Sequence, residues 1–416
     1  MRLRTTALLA AALVVVPAAL LLLFPRRLAT GLDRLLPDAA LLQSFAVRPA
    51  QPLPDLWRER LGDGAGQRLW QRQRGLWWQF WGPHGDAGAY LVLVAPPSEP
   101  LPAHSLRVDD LLVVAPSPLA RQLLEQQLRL QRRLPKGLSE RCSRQLLQRQ
   151  AVAWNPAALG QMLGPLAPLA LSLQQGCLLL SADVAALLWQ GEADASPGAV
   201  APPPLPLPLP PSQPLAAPQL LELRGRRLEL VLRGLLSSAV LRDSLASRYG
   251  LGREQMRRLQ AAAFVLELQA RPSGPYRAGL VLQLQLPGER AFWERSLVDL
   301  SRALESQGLA ASRPLAGLTL WSREDRSTVG GWRWLAANRL QLFLGPTPAL
   351  AQPAGPTPSL QAAMRSDWQL RLRPDGLAAA GLLPEALPTV VDRARQVLLI
   401  GSGQRQSALA GRLELR

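Results

Sequence analysis

Leu111-Leu112-Val113-Val114-Ala115-Pro116-Ser117-Pro118 is an apolar run closed by two prolines. A short continuous run of Leu and Val, bounded by Pro and Ser, reads as a buried strand running into a turn. Leu119 to about Arg133 follows with a helical pattern. More than 200 residues later stands a close echo, Leu340-Gln341-Leu342-Phe343-Leu344-Gly345-Pro346-Thr347-Pro348. The echo predicts a chain built largely from one unit used twice.

Working outward, four further segments overlay in the same order. Phe45-Ala46-Val47-Arg48-Pro49 with Trp57 to Leu61 overlays Leu284-Gln285-Leu286-Pro287 with Trp293 to Leu297. Gly75-Leu76-Trp77-Trp78 overlays Gly317 to Trp321. Trp154-Asn155-Pro156 overlays the Arg373-Pro374 segment, and Leu178 to Ser181 overlays Leu398 to Ser402. Between these lie candidate strands at Ala89 to Ala95, Ala151 to Trp154 and Cys177 to Leu180. Leu220 to Leu232 alternates apolar with polar and predicts a hairpin around Gly225. Ser237 to about Ala262 reads as helix broken at Gly250-Leu251-Gly252. A hairpin follows from Phe264 to Leu286, then a helix from Arg290 to about Gln307. Hairpins mixed with helices predict an α+β fold. Each unit would be a mainly antiparallel sheet with helices on one face, because the strands alternate as sheets buried on one side do.

The chain of 416 residues carries a formal charge of +17, nearly all of it arginine, with Lys136 the one lysine. Such a balance permits association with anionic lipid or nucleic acid. The arginines are spread out, densest at Arg129 to Lys136 and Arg224 to Arg227, which favours solvation of a Leu-rich fold and makes nucleic acid an unlikely partner. The N-terminus predicts a membrane anchor. Met1-Arg2-Leu3-Arg4 precedes an apolar run from Ala7 to Phe24 and then Pro25-Arg26-Arg27. Its length of roughly 27 Å nearly matches a hydrocarbon core of about 30 Å. The run exceeds a signal-peptide core, and no small-x-small site follows at once. The expected organisation is a transmembrane signal anchor at 1–27, an amphipathic stalk at 28–43 and a first α+β unit at 44–200. A Pro-rich polyproline II linker at 201–218 comes next, then a hairpin-helix insert with the second unit at 219–416. The large domain is expected on the non-cytoplasmic side.

Little in the chain advertises catalysis. The two histidines, His84 and His104, fall in candidate turns and have no metal-ligand spacing with the cysteines. There is no H-E-x-x-H, no phosphate-cradling loop before Lys136 and no G-x-S-x-G elbow. Gly62-Asp63-Gly64-Ala65-Gly66 follows a helical pattern rather than a strand, against a dinucleotide site. The carboxylate pairs Asp109-Asp110 and Glu324-Asp325 lie beside arginines and read as solvated turns. No catalytic, cofactor or metal residue is assigned. In an oxidising compartment Cys142 and Cys177 are a candidate disulfide; otherwise both are small buried residues. Trp77, Trp78, Trp81, Trp332 and Trp334 read as core aromatics or, alternatively, as a partner surface.

The basic N-terminal run, the repeated strand-Pro-x-Pro-helix segments and the Leu/Ala/Gln-rich body together resemble uncharacterised membrane-anchored proteins of cyanobacteria. The resemblance implies a membrane location and carries no activity or site residues. The reading is a single-pass membrane protein acting as a non-enzymatic scaffold, assembly or binding factor with a protein or lipid partner. A hydrolase with an unrecognised site and a basic module binding anionic lipid or nucleic acid are the alternatives.

Overall fold

The computed structural model describes residues 31–83, 88–130, 135–158, 173–183, 185–195, 203–236, 239–271, 276–348, 366–382, 389–403 and 406–415. The first half runs α1 (Leu32–Leu35), β1 (Leu41–Ala46), α2 (Asp55–Arg72), β2 (Leu76–Trp81), β3 (Tyr90–Val94), β4 (Ser105–Val108) and β5 (Leu111–Val114). It continues with α3 (Pro118–Leu130), α4 (Leu138–Gln148), β6 (Ala151–Trp154), β7 (Gln175–Ala182) and β8 (Ala186–Asp194). The second half begins with β9 (Gln219–Gly225), α5 (Glu229–Leu235), α6 (Ala239–Tyr249), α7 (Arg253–Ala261), β10 (Ala263–Ala270), β11 (Ala278–Gln285) and α8 (Arg290–Glu305). Then come β12 (Ala310–Leu315), β13 (Leu318–Ser322), β14 (Thr328–Ala336), β15 (Arg339–Leu344), β16 (Trp368–Leu372), α9 (Pro374–Ala379), α10 (Thr389–Asp392), β17 (Ala394–Ser402) and β18 (Gln406–Leu415).

These strands form one sheet of eighteen. Traced through its pairings, the order is β4-β5-β3-β2-β1-β6-β7-β8-β18-β17-β16-β9-β10-β11-β15-β14-β13-β12, antiparallel throughout. This corrects the expected fold of an anchor followed by two similar α+β units, each with its own sheet. The halves fuse where β8 meets β18, from Glu414 against Ala186 to Gln406 against Asp194. The physical reason is the edge. Two long strands with unpaired N–H and C=O groups are each a liability, and pairing them removes both. Periodicity reveals a strand but not its neighbour, so the fusion is silent in the sequence. In each half the first strand lies inside: β1 sits between β2 and β6, and β9 between β10 and β16. The overlays of Phe45 on Leu284 and of Trp77 on Thr319 therefore fail, since they equate β1 with β11 and β2 with β13.

The apolar run Ala7 to Phe24, expected as a transmembrane helix and signal anchor, lies outside the described residues. No described helix is long and apolar enough to cross a membrane. The expected stalk is partly built into the fold, since Leu32 and Leu35 are buried and β1 already starts at Leu41.

Helices on one face is a further correction. Leu111 and Val113 of β5 join one core cluster while Leu112 and Val114 join another on the opposite face. Tyr90 and Val92 against Leu91 and Leu93 divide in the same way. The first cluster is covered by α3 and α4 through Leu124, Leu128, Leu138 and Leu146, and the second by α2 through Trp57, Leu69 and Trp70. A strand covered on both faces needs no alternation, which is why Leu111 to Val114 is uniformly apolar. The long α2 survives its glycines by kinking at Gly62, whose φ of 72° suits a residue without Cβ.

Two connections also differ from expectation. Leu220 to Leu232 is not a hairpin, because β9 ends at Gly225 and α5 follows. Leu228, Val231 and Leu232, spaced for a helix, pack together in the second-half core. The Pro-rich segment is not a free spacer. Leu207 and Leu209 pack against Leu398, Ile400 and Ala410 of β17 and β18. The Arg371 and Gln396 side chains donate to the Gln213 carbonyl at 3.2 and 3.1 Å, and Arg412 donates to Pro210 O at 3.3 Å.

Candidate functional site

The sheet face beneath α8 is built from three facing rows. Leu280, Leu282 and Leu284 of β11 stand opposite Leu344, Leu342 and Leu340 of β15. Gly330, Trp332 and Trp334 of β14 complete the same rows. Period-two alternation sends this whole set to one side. Their neighbours Gln283, Gln341 and Arg333 go to the other, where Arg333 Nε donates to Gln341 Oε1 at 2.6 Å. Burial holds the Arg333 guanidinium below the usual arginine range.

Helix α8 lies over this apolar face but does not close on it. Of its sixteen residues only Trp293 and Ser296 are buried, while Leu297, Leu300 and Leu304 are half-buried. Trp293 anchors the N-terminal end, its indole N–H donating to Pro287 O at 2.9 Å. Beyond it a cavity of about 250 Å³ opens between α8 and the sheet. Its lining is wholly apolar, with Leu300 and Leu304 above and Leu282, Leu342, Trp321 and Trp332 below. Gly330 belongs to the floor, and a Cβ there would stand 2.4 Å from Phe343 O. Only glycine permits strands β14 and β15 to approach so closely.

A second cavity of about 500 Å³ flanks the N-terminal part of α8, and Trp332 forms a wall common to both. Its lining is mixed: Arg290, Glu294 and Ser301 from the helix, Arg313 and Leu315 from β12, and Thr319 from β13. Arg290 pairs with Glu294 at 2.7 Å and lies 4.8 Å from the centre of the Trp334 ring. Val298, Leu315 and Leu344 are 44, 63 and 60% exposed at the margins of the two cavities. Exposed apolar residues gathered at one place mark a binding surface more often than scattered ones do.

The tryptophans singled out from sequence separate into two environments. Trp77 and Trp78 are buried on opposite faces of the first half. Trp77 stacks on Phe45 with ring centres 4.5 Å apart, and the Trp78 indole donates to Leu146 O at 2.8 Å. Trp81 is half-buried at the end of β2. Trp332 and Trp334 share the α8 face and line the mixed cavity. The cavity itself was not legible, because Leu282, Leu300, Leu304 and Leu342 are indistinguishable in sequence from core leucines.

Cys142 of α4 and Cys177 of β7 are disulfide-bonded, with Cα atoms 5.7 Å apart. The preceding residue on α4, Arg141, forms two bonds of 2.7 Å to Glu192 of β8. This hydrogen bonding with Glu192 raises the Arg141 pKa further. Covalent and ionic ties thus clamp α4 to β7 and β8. A second buried carboxylate, Glu222 of β9, bonds Arg371 at 2.6 Å and Arg224 at 2.6 Å. Glu267 stands directly opposite Glu222 on β10. Burial pushes the Glu267 carboxyl up, aided by the Glu222 charge.

His84 lies outside the described residues, and His104 is exposed in the loop before β4. Asp109 and Asp110 form the β4–β5 turn, where Asp109 Oδ2 accepts the Gly31 N–H at 2.6 Å. Glu324 and Asp325 lie in the β13–β14 turn, where hydrogen bonds from Ser327 hold Asp325 below the usual carboxylate range. Among the described residues no group of three or more His, Cys, Asp or Glu could hold a metal ion. Of the basic group Arg224 to Arg227, Arg224, Arg226 and Arg227 pair with Glu222, Asp367 and Glu229. No family model, curated protein or solved structure matches this chain.

Proposed function

We propose that this protein is a binding protein that takes an apolar ligand between α8 and the sheet of its second half. The wholly apolar cavity of about 250 Å³ carries the reading. Space lined by apolar side chains accepts hydrocarbon ligands, and this one is reached from solvent at its Leu344 margin. A methylene takes up roughly the volume of a water molecule, about 30 Å³, so on the order of eight methylenes fit. At about 0.8 kcal/mol each, their burial would contribute about 6 kcal/mol, which corresponds to binding in the range of about tens of micromolar. Helix α8, buried only at Trp293 and Ser296, supplies the wall over this space through Leu300 and Leu304.

The disulfide supports a site of action in an oxidising compartment, outside the cytoplasm. A membrane-impermeant thiol reagent applied to intact cells tests this. Because both are buried, labelling of Cys142 and Cys177 only after reduction with mild denaturation is expected, and labelling under mild denaturation without reduction, after lysis alone, would refute it. The ligand reading is tested by calorimetric titration with dodecanol. Saturable binding is expected, and Leu304→Phe, which fills the cavity, should abolish it while the fold is retained. Equal binding by wild type and variant would place the alcohol elsewhere.

A further inference from the structure

We infer that the ligand is a single-chain anionic amphiphile, a long-chain carboxylate whose tail fills the apolar cavity and whose head sits between Arg290 and Arg313. This inference rests on the cavity reading above and adds the head group to it. The two cavities share the Trp332 wall and lie on adjacent flanks of α8. Along the helix, Arg290 and Leu304 are separated by about 21 Å at 1.5 Å per residue. One acyl chain spans about 15 Å, half of a hydrocarbon core of about 30 Å. That leaves room for a head group at the Arg290 end.

The charge of the mixed cavity fits a carboxylate. Two cations and one anion line it, Arg290, Arg313 and Glu294. Glu294 is engaged with Arg290, whereas Arg313, on the exposed edge strand β12, has no ion pair among the described residues. The net charge of the lining is therefore positive, and an incoming carboxylate completes the pairing. Ser301 and Thr319, in the same lining, add hydroxyl donors. Guanidinium binds carboxylate through paired, charge-assisted bonds. The exposed Val298 and Leu315 in the same lining receive the first methylenes after the head.

The test compares dodecanoate with dodecanol at pH 8, where the carboxylate is ionised, using wild type and the double variant Arg290→Gln, Arg313→Gln. Dodecanoate is expected to bind at least about tenfold tighter than dodecanol. The double variant leaves Glu294 unpaired in the lining, so it should bring dodecanoate to or below the alcohol's affinity while dodecanol still binds saturably. Added salt should weaken dodecanoate alone. If dodecanol binds and dodecanoate binds no tighter, or the variant changes nothing, the head-group assignment is wrong while the cavity reading stands. If neither compound binds, the cavity reading falls and this inference with it. Sedimentation with phosphatidylglycerol vesicles, without uptake of monomeric dodecanoate, would also overturn it by assigning the arginines to a membrane surface.

Discussion

The two halves of the sheet are made of similar strands and are covered differently. In the first, α2 closes one face and α3 with α4 the other, so β3 and β5 are enclosed on both sides. A disulfide and a buried Arg141–Glu192 pair fasten α4 to the strands beneath. In the second, α5, α7 and α8 contribute to the same core cluster, and the reverse face carries the ladder of Arg371, Glu222 and Glu267 and the Arg333–Gln341 pair. Helix α8 buries only Trp293 and Ser296, where α4, though shorter, buries Leu138, Cys142, Ser143 and Leu146. The edges differ as well. At one end Arg107 of β4 ties the edge strand to the loop after β3, donating to the Ala95, Pro96 and Glu99 carbonyls. At the other, β12 is exposed along its whole length and is interrupted by Pro314, which blunts it. A tightly covered half thus shares one sheet with a more loosely covered one, and the apolar cavity of about 250 Å³ lies beneath the helix that buries only Trp293 and Ser296.

This contrast can be broken experimentally. The largest effect is expected from the clamp. Replacing Cys142 and Cys177 together by Ala should cost about 4 kcal/mol by the loop-entropy relation for a crosslink spanning 35 residues. Urea unfolding would measure it. A loss below about 1 kcal/mol would show that α4 is held by packing and Arg141 alone. Next, Leu112→Ala empties a fully buried position between two packed layers and should cost about 3 kcal/mol. Leu342→Ala enlarges a cavity that already exists and should cost about 1 kcal/mol, because the removed atoms had few partners. Equal costs for the two leucines would end the distinction between the halves.

The smallest effect concerns pH. Glu267 has a raised folded-state pKa, from burial and then from Glu222, so the folded chain binds its proton more tightly than the unfolded chain does. Its contribution is fully present below the ordinary value of 4.5 and is lost as pH rises through the elevated folded value. Glu267→Gln should flatten that part of the stability curve. An unchanged curve from pH 4 to 7 would show that Arg224 and Arg371 already balance both carboxylates.

The α8 segment shows what was legible. A helix from Arg290 was readable because Trp293, Leu297, Leu300 and Leu304 recur at helical spacing. That the helix would stand away from the sheet was not, since its leucines look like any core stripe. Leu228, Leu230 and Leu232 show the opposite case: their alternation also fits a helix through Val231, and the tertiary core chose the helix.

By itself the sequence determined local character. Uniform apolar runs had to be buried, Pro and Gly had to end elements, and the strand at Leu111 to Val114 had to lie inside, because side-chain chemistry and backbone sterics act within a few residues. Tertiary structure alone decided that both halves share one sheet, that the Pro-rich segment straps β17 and β18, and that an apolar cavity opens beneath α8. Those outcomes depend on which edges and faces meet, and the free energy of meeting is set by partners hundreds of residues apart, from β8 at Ala186 to β18 at Glu414.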